Sequence, residues 1–433
     1  GQALWVERFM LTSGASTLRV NGSIGDRADL ALQLESPDLG QLWPGAGGGV
    51  QLRGLVTGTR ASPQVDLSLK GTDLVLDRNR VGTLTLGARG SLAADARFEA
   101  DLQVGQLRFG DLLLATGQLR LQGSPGNHTL TVTTGGADLA AGLTLQGGWT
   151  GGQWRGRVQQ ARLTAPGFGG WQQERSTPLA FGPDRAEVQP LCLSGRSGQV
   201  CVQGEWTGQD QSWRLQATTV DLRLAALVGR LDGDWPLDGL VQATVDLAGQ
   251  GAQLARGTLA TRLTDQTLDL DLGDSGRQQV RWRNTVLRAD YAAERLQAAL
   301  DSDLRDGSSL HLDLALDQVR LPGDDLLTRP LRGALQVQLR DLAPLNALTA
   351  QAALFSGRLQ GAATINGTVT APEMTGTLDL EDGRAEIPQL GITLAPLHVA
   401  VRGDGGTMQV AATARSGEGD LRLEGALRLD SSG

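Results

Sequence analysis

Few residues in this chain have the chemistry to carry a reaction. Three histidines (His128, His311, His398) and two cysteines (Cys192, Cys201) are spread over 433 residues, which is little material for a metal cage or an oriented general base. Gly273-Asp274-Ser275-Gly276 has the local form of a serine nucleophile loop. No histidine lies in a supporting context, however, and the alternating stretches Leu268–Leu272 and Gln279–Arg283 on either side make it a hairpin turn. Asp301, Asp303, Asp306 and Gly307 approach a calcium loop, but the third carboxylate is one place out of register, so a strand end followed by a turn accounts for them better. The glycine runs Gly45–Gly49 and Gly403–Gly406 lack the strand-to-helix setting of a phosphate loop. The expectation is therefore no catalytic residue, no metal, no cofactor, and a chain that is not an enzyme.

The cysteines are more informative. In CLSGRSGQVC a turn on Arg196-Ser197 sets Cys192 opposite Cys201 on one face of a hairpin. An even pair so placed predicts a structural disulfide and an oxidising compartment. Two titratable thiols under non-reducing conditions would contradict this.

The elements that must position these residues follow from alternation. In Gly357–Thr370 the odd positions run Gly, Leu, Gly, Ala, Ile, Gly, Val and the even ones are mostly polar. The same period of two recurs in Val65–Leu69, Leu268–Leu272, Leu296–Leu300, Leu310–Leu316, Leu335–Leu339, Leu397–Val401 and Leu421–Leu429. Such strands return about every ten residues, separated by turn dipeptides such as Asn21-Gly22, Asp306-Gly307, Asp382-Gly383 and Gly405-Gly406. The fold class is all-β, with few short helices; the helix candidates are Leu222–Arg230 and Leu342–Ala353, each opened by a capping Asp (Asp221, Asp341). Sixty glycines permit bends on the apolar face, so a long sheet folded lengthwise into a trough with an apolar interior is expected. A filled core is the alternative that the pattern alone leaves open.

Composition removes other classes. The net charge is −8, arginine outnumbers lysine 38 to one, and no basic block exists, which argues against nucleic acid as a partner. No run of 18 apolar residues is present, so no helix spans a bilayer. The chain begins with Gly rather than Met and is read as a piece of a longer protein. A loose repeat (Asp38-Leu39, Asp221-Leu222, Asp341-Leu342) and the lack of a linker predict one continuous region over 1–433, with Gly45–Gly49 the one candidate hinge. Trp149, Trp154, Trp171, Trp206 and Trp213 fall within 65 positions and are read as packing across hairpin turns.

The segment Phe355–Asp430 resembles the TamB family. The features that carry the likeness are a glycine-rich strand, Ala371-Pro372, Gly376-Thr377-Leu378, Ile387-Pro388, Leu390-Gly391-Ile392 and the Ser416–Gly419 turn, in that order. The likeness is best over 340–430 and weaker over 148–250. It implies an elongated β-taco, lacking here the family's N-terminal membrane anchor, in a protein held in the inner membrane of a Gram-negative bacterium. That protein would cross the periplasm to the outer membrane and work with the Omp85-type barrel TamA of the translocation and assembly module. The implied role is a passive conduit for phospholipid, whose acyl chains would lie in the trough. Alternatives are a periplasmic scaffold for outer-membrane protein assembly and a closed β-solenoid. The expected groove lining is Leu359, Ile365, Val369, Leu378, Leu380, Ile387, Ile392, Leu394, Leu397, Val399, Val401, Met408, Val410, Leu421, Leu423, Leu427 and Leu429, provided no bulge inverts the alternation.

Overall fold

Period-two patterning with abundant Leu, Val and Thr gives strands throughout. The computed structural model describes residues 4–428 apart from 60, 78, 92, 94, 111, 138, 167, 225–236, 272–276, 343–353 and 388–390. Among the described residues there are 27 strands and two single-turn 3-10 helices, Leu39–Gln41 and Leu326–Thr328. Each 3-10 turn is opened by an aspartate, Asp38 or Asp325, whose carboxylate accepts from a backbone N–H two residues on. Both helix candidates lie largely outside the described residues, as do residues 273–276. The chain divides into two units, Gly1–Arg196 and Ser197–Gly433.

The first unit is an antiparallel meander in which each strand pairs with its sequence neighbours. Its registers stack one residue per strand into a continuous row: Leu18, Leu34, Leu52, Leu69, Leu86, Leu102, Leu119, Val132, Leu143, Ala161. Ten strands at about 4.8 Å make this apolar row roughly 43 Å long. One residue away, on the other face, runs Arg19, Gln33, Arg53, Ser68, Gly87, Asp101, Arg120, Thr131, Thr144, Gln160. Near the end of the unit one strand is interrupted. Gly169–Gln173 and Thr177–Phe181 both pair with Gln153–Ala165 and with Arg185–Gly195.

The second unit repeats this logic from Gly198–Thr207 to Gly419–Arg428. Its polar face is tied by cross-strand ion pairs, among them Arg214–Asp246, Arg288–Asp301 (3.5 Å) and Arg295–Asp317 (3.4 Å).

Two expected turns are corrected. Asn21-Gly22 lies inside strand Ser16–Ile24, and Asp382-Gly383 inside Pro372–Ile387. Both residues have positive φ inside a continuing strand: the ladder to Arg27–Ser36 runs unbroken past Gly22, whereas at Asp382 it slips and then resumes. The Gly45–Gly49 run, expected as a hinge, opens strand Ala46–Thr59. Asp306-Gly307 and Gly405-Gly406 are turns, and Arg196-Ser197 separates two strands.

Candidate functional site: one apolar sheet face

In antiparallel pairing, directly opposed residues share a face, so the registers of the second unit sort the expected lining residues without appeal to alternation. One row runs Leu287, Leu300, Leu312, Leu335, Ala363, Gly376, Gly403, Met408, Leu427. A second runs Leu339, Leu359, Leu380, Val399, Ala412, Leu423. Between them lie Val337, Gly361, Leu378, Val401, Val410 and Gly425. Beyond the kink the same face continues as Gly383–Leu397–Ala414–Leu421, Ala385–Leu394 and Ile387–Ile392, and Ile365 pairs with Met374. The sequence changes from even to odd inward positions at Asp382 (φ 49°), where the ladder slips between Leu380 and Gly383 and again between Gly383 and Ala385.

Fifteen of the expected residues thus fall on one face. Val369 does not: its strand ends at Gly367, only Thr368 bridges to Pro330, and Val369 is exposed. Leu429 lies outside the described residues. His398 points to the other face, opposite Thr413, and is exposed.

Burial along this face is graded. Leu339, Leu342, Leu380, Ala385, Leu397 and Ala414 form a buried cluster, with Val337, Phe355, Leu359, Leu394 and Val399 packed against it. Farther along, a cavity of about 60 Å³ is bordered by Leu335, Gly361, Met374, Gly376, Val401, Gly403 and Met408. On the last strand Leu421, Leu423 and Leu427 are 46–60% exposed. Glycine is required on this face where strands crowd. A Cβ on Gly376 would sit 2.2 Å from the Ala362 carbonyl oxygen, and one on Gly403 2.5 Å from that of Met374.

The first unit closes its apolar face with an aromatic group. Trp149 and Trp154 are cross-strand partners. Trp154 stacks on Phe181 (5.0 Å, 17°), and Trp149 meets Phe181 edge-on (5.6 Å). The Trp154 indole N–H donates to His128 Nε2 at 2.9 Å, while His128 Nδ1 lies 3.0 Å from the Ser124 carbonyl. An N–H donor on one side fixes the proton on Nδ1 and leaves the ring no free nitrogen for a base. Trp206 and Trp213 pair across the corresponding hairpin of the second unit.

His311 sits on the polar face with Nδ1 hydrogen-bonded to Asp301 and Nε2 3.0 Å from Asp313. The hydrogen bond from Asp301 raises its pKa above the usual histidine value, partial burial opposes this, and the charges of Asp301 and Asp313 add to the rise. Asp301, Asp303 and Asp306 do not converge, and no group of three His, Cys, Asp or Glu side chains able to hold a metal is found among the described residues. Both cysteines are disulfide-bonded, and Cys201 faces Thr218 on the polar face. Among the described residues no helix is long and apolar enough to cross a membrane.

Residues 2–380 match the family model of the TamB N-terminal domain. The chain is also similar to the translocation and assembly module subunit TamB of Haemophilus influenzae, with 22% identity over 444 residues covering 98% of this chain. It spans 32% of the length of that relative. A family model that covers most of the chain, on a sheet with one face apolar from strand to strand, leads to a single assignment: the chain belongs to the TamB family.

Proposed function

We propose that this chain is part of a passive phospholipid conduit, with acyl chains held against the apolar sheet face and headgroups left in water. The observation that supports it is a continuous row of apolar residues and glycines across ten strands of the first unit, residues 18 to 161, and nine strands of the second, 287 to 427. A phospholipid with about 30 chain methylenes costs on the order of 25 kcal/mol to expose to water. As a barrier that is about 18 decades in rate, or one escape in roughly a day or more. A continuous face of Leu, Val and Ile removes most of that cost while requiring no reactive group. The name of the similar Haemophilus influenzae protein places that relative in the translocation and assembly module. By extension we assign this chain to the periplasmic part of such a module, between inner and outer membranes and with an outer-membrane barrel of the TamA type as partner.

The test is lipid mass spectrometry on the chain purified with little detergent, beside Val399→Arg. Val399 lies at the edge of the buried cluster, in the row Leu380–Val399–Ala412. Co-purified phospholipid that is depleted in a folded Val399→Arg variant supports the reading. Equal lipid in both proteins, or binding of unfolded outer-membrane β-strands in preference to lipid, refutes it.

A further inference from the structure

Arg80, on strand Asn79–Ser91, and Arg108, on strand Phe98–Phe109, are direct cross-strand partners. Among the described pairings they are the one case of like charges opposed. Elsewhere Asp66 faces Arg89, Asp101 faces Arg120, Glu205 faces Arg214, Arg358 faces Glu381 and Arg415 faces Asp420. Directly opposed side chains start about 5 Å apart at Cβ, so two guanidinium groups there repel unless an anion lies between them. Neither arginine makes a side-chain hydrogen bond or ion pair among the described residues. Among the described residues that line the same hollow the one carboxylate is Asp73, and no ion pair joins it to either arginine.

The hollow has about 1250 Å³, and Val75 and Leu113, the cross-strand partners of Arg80 and Arg108, put aliphatic side chains on the same face as the two arginines. On the same strands, one residue beyond Val75 and Arg108, Leu76 and Phe109 are 57% and 64% exposed. Asp73 and Gln106, at φ 50° and 53°, hold its backbone in a conformation that non-glycine residues seldom adopt. Two guanidinium groups with no carboxylate partner among the described residues, beside aliphatic side chains, match a ligand with one anionic group and an alkyl body. Inorganic phosphate would satisfy the arginines and leave Val75 and Leu113 in water. A nucleic acid would need many cationic contacts from a chain of net charge −8.

We propose that Arg80 and Arg108 form a binding site for the phosphodiester headgroup of a phospholipid, each guanidinium donating to one non-bridging oxygen while the glycerol and upper alkyl carbons lie on Val75 and Leu113. This rests on the conduit reading and deepens it by giving the first unit a headgroup contact as well as an acyl face.

The test is co-sedimentation of the chain with phosphatidylcholine vesicles containing one-fifth phosphatidylglycerol, comparing wild type, Arg80→Gln/Arg108→Gln, and Arg53→Gln/Arg402→Gln. The last removes the same two charges from other exposed positions. The expected result is a loss of about five- to tenfold in affinity for the first variant and less than twofold for the second. Equal affinity of Arg80→Gln/Arg108→Gln and wild type overturns the site. So does short-chain phosphatidylglycerol that binds no more tightly than glycerophosphate, because the aliphatic side chains would then be idle. If wild type still carries co-purified lipid, the conduit reading survives this failure; if it carries none, both fall.

Discussion

Leu380 and Leu423 lie in the same row of the same face, separated by Val399 and Ala412, yet their surroundings differ. Leu380 is 8% exposed inside the cluster of Leu339, Leu397 and Ala414, whereas Leu423 is 56% exposed. Leu380→Ala removes three buried carbons from a site whose strands are fixed on both sides and cannot collapse. The expected loss is about 2.5–3.5 kcal/mol, transfer and cavity effects together. Leu423→Ala removes carbons that are already more than half hydrated, so it should cost about 0.5–1 kcal/mol. For a unit of a little over 200 residues this separates the two variants by roughly 5–10 °C in the melting transition. Differential scanning calorimetry or urea unfolding followed by circular dichroism reads the difference directly. Equal costs for the two variants, or a cost below about 1 kcal/mol for Leu380→Ala, would refute the placement of the second unit's core around Leu380 and Leu397.

Two further outcomes follow from named contacts. Gly376→Val should unfold or strongly destabilise the second unit, because its Cβ meets the Ala362 carbonyl, whereas Gly425→Ala, with open space around it, should be neutral or slightly stabilising; soluble yield and thermal melts of the two separate them. The raised pKa of His311 means that the protonated ring is favoured in the folded state, so its contribution is full below about pH 6.5 and is lost as pH rises through the folded value. His311→Asn should therefore lower the melting temperature at pH 5.5–6.5 and leave it unchanged near pH 9, and the opposite trend would contradict the Asp301–His311–Asp313 arrangement.

Much of the fold was legible because alternation is a short-range signal. Leu310–Leu316, Leu335–Leu339 and Leu397–Val401 each fall within a strand, and the lining set crosses the parity change between Leu380 and Ile387 because the apolar residues themselves change parity there. What alternation cannot encode is pairing. Arg80 and Arg108 are 28 positions apart, His128 and Trp154 are 26 apart, and only register makes neighbours of them. Turn dipeptides misled at Asn21-Gly22 and Asp382-Gly383 because a positive φ serves a continuing strand as well as a reversal. Val369 has no register partner because the strand ends at Gly367 and Thr368 makes only an isolated bridge, although the alternation itself runs on to Thr370. The interruption of strand 169–181 leaves no signal in composition, since both halves read as strand.

The conduit account rests on lipid meeting one face and not the other. Photo-crosslinkers placed singly at Val399 and at His398 sample neighbouring positions on opposite faces of one strand, Ile392–Asp404. The measurement is mass spectrometry of the species crosslinked at each position in cells or in phospholipid-loaded protein. The account predicts phospholipid adducts at 399 and none at 398. Equal adducts at both positions, or none at 399 in protein that carries lipid elsewhere, would contradict it.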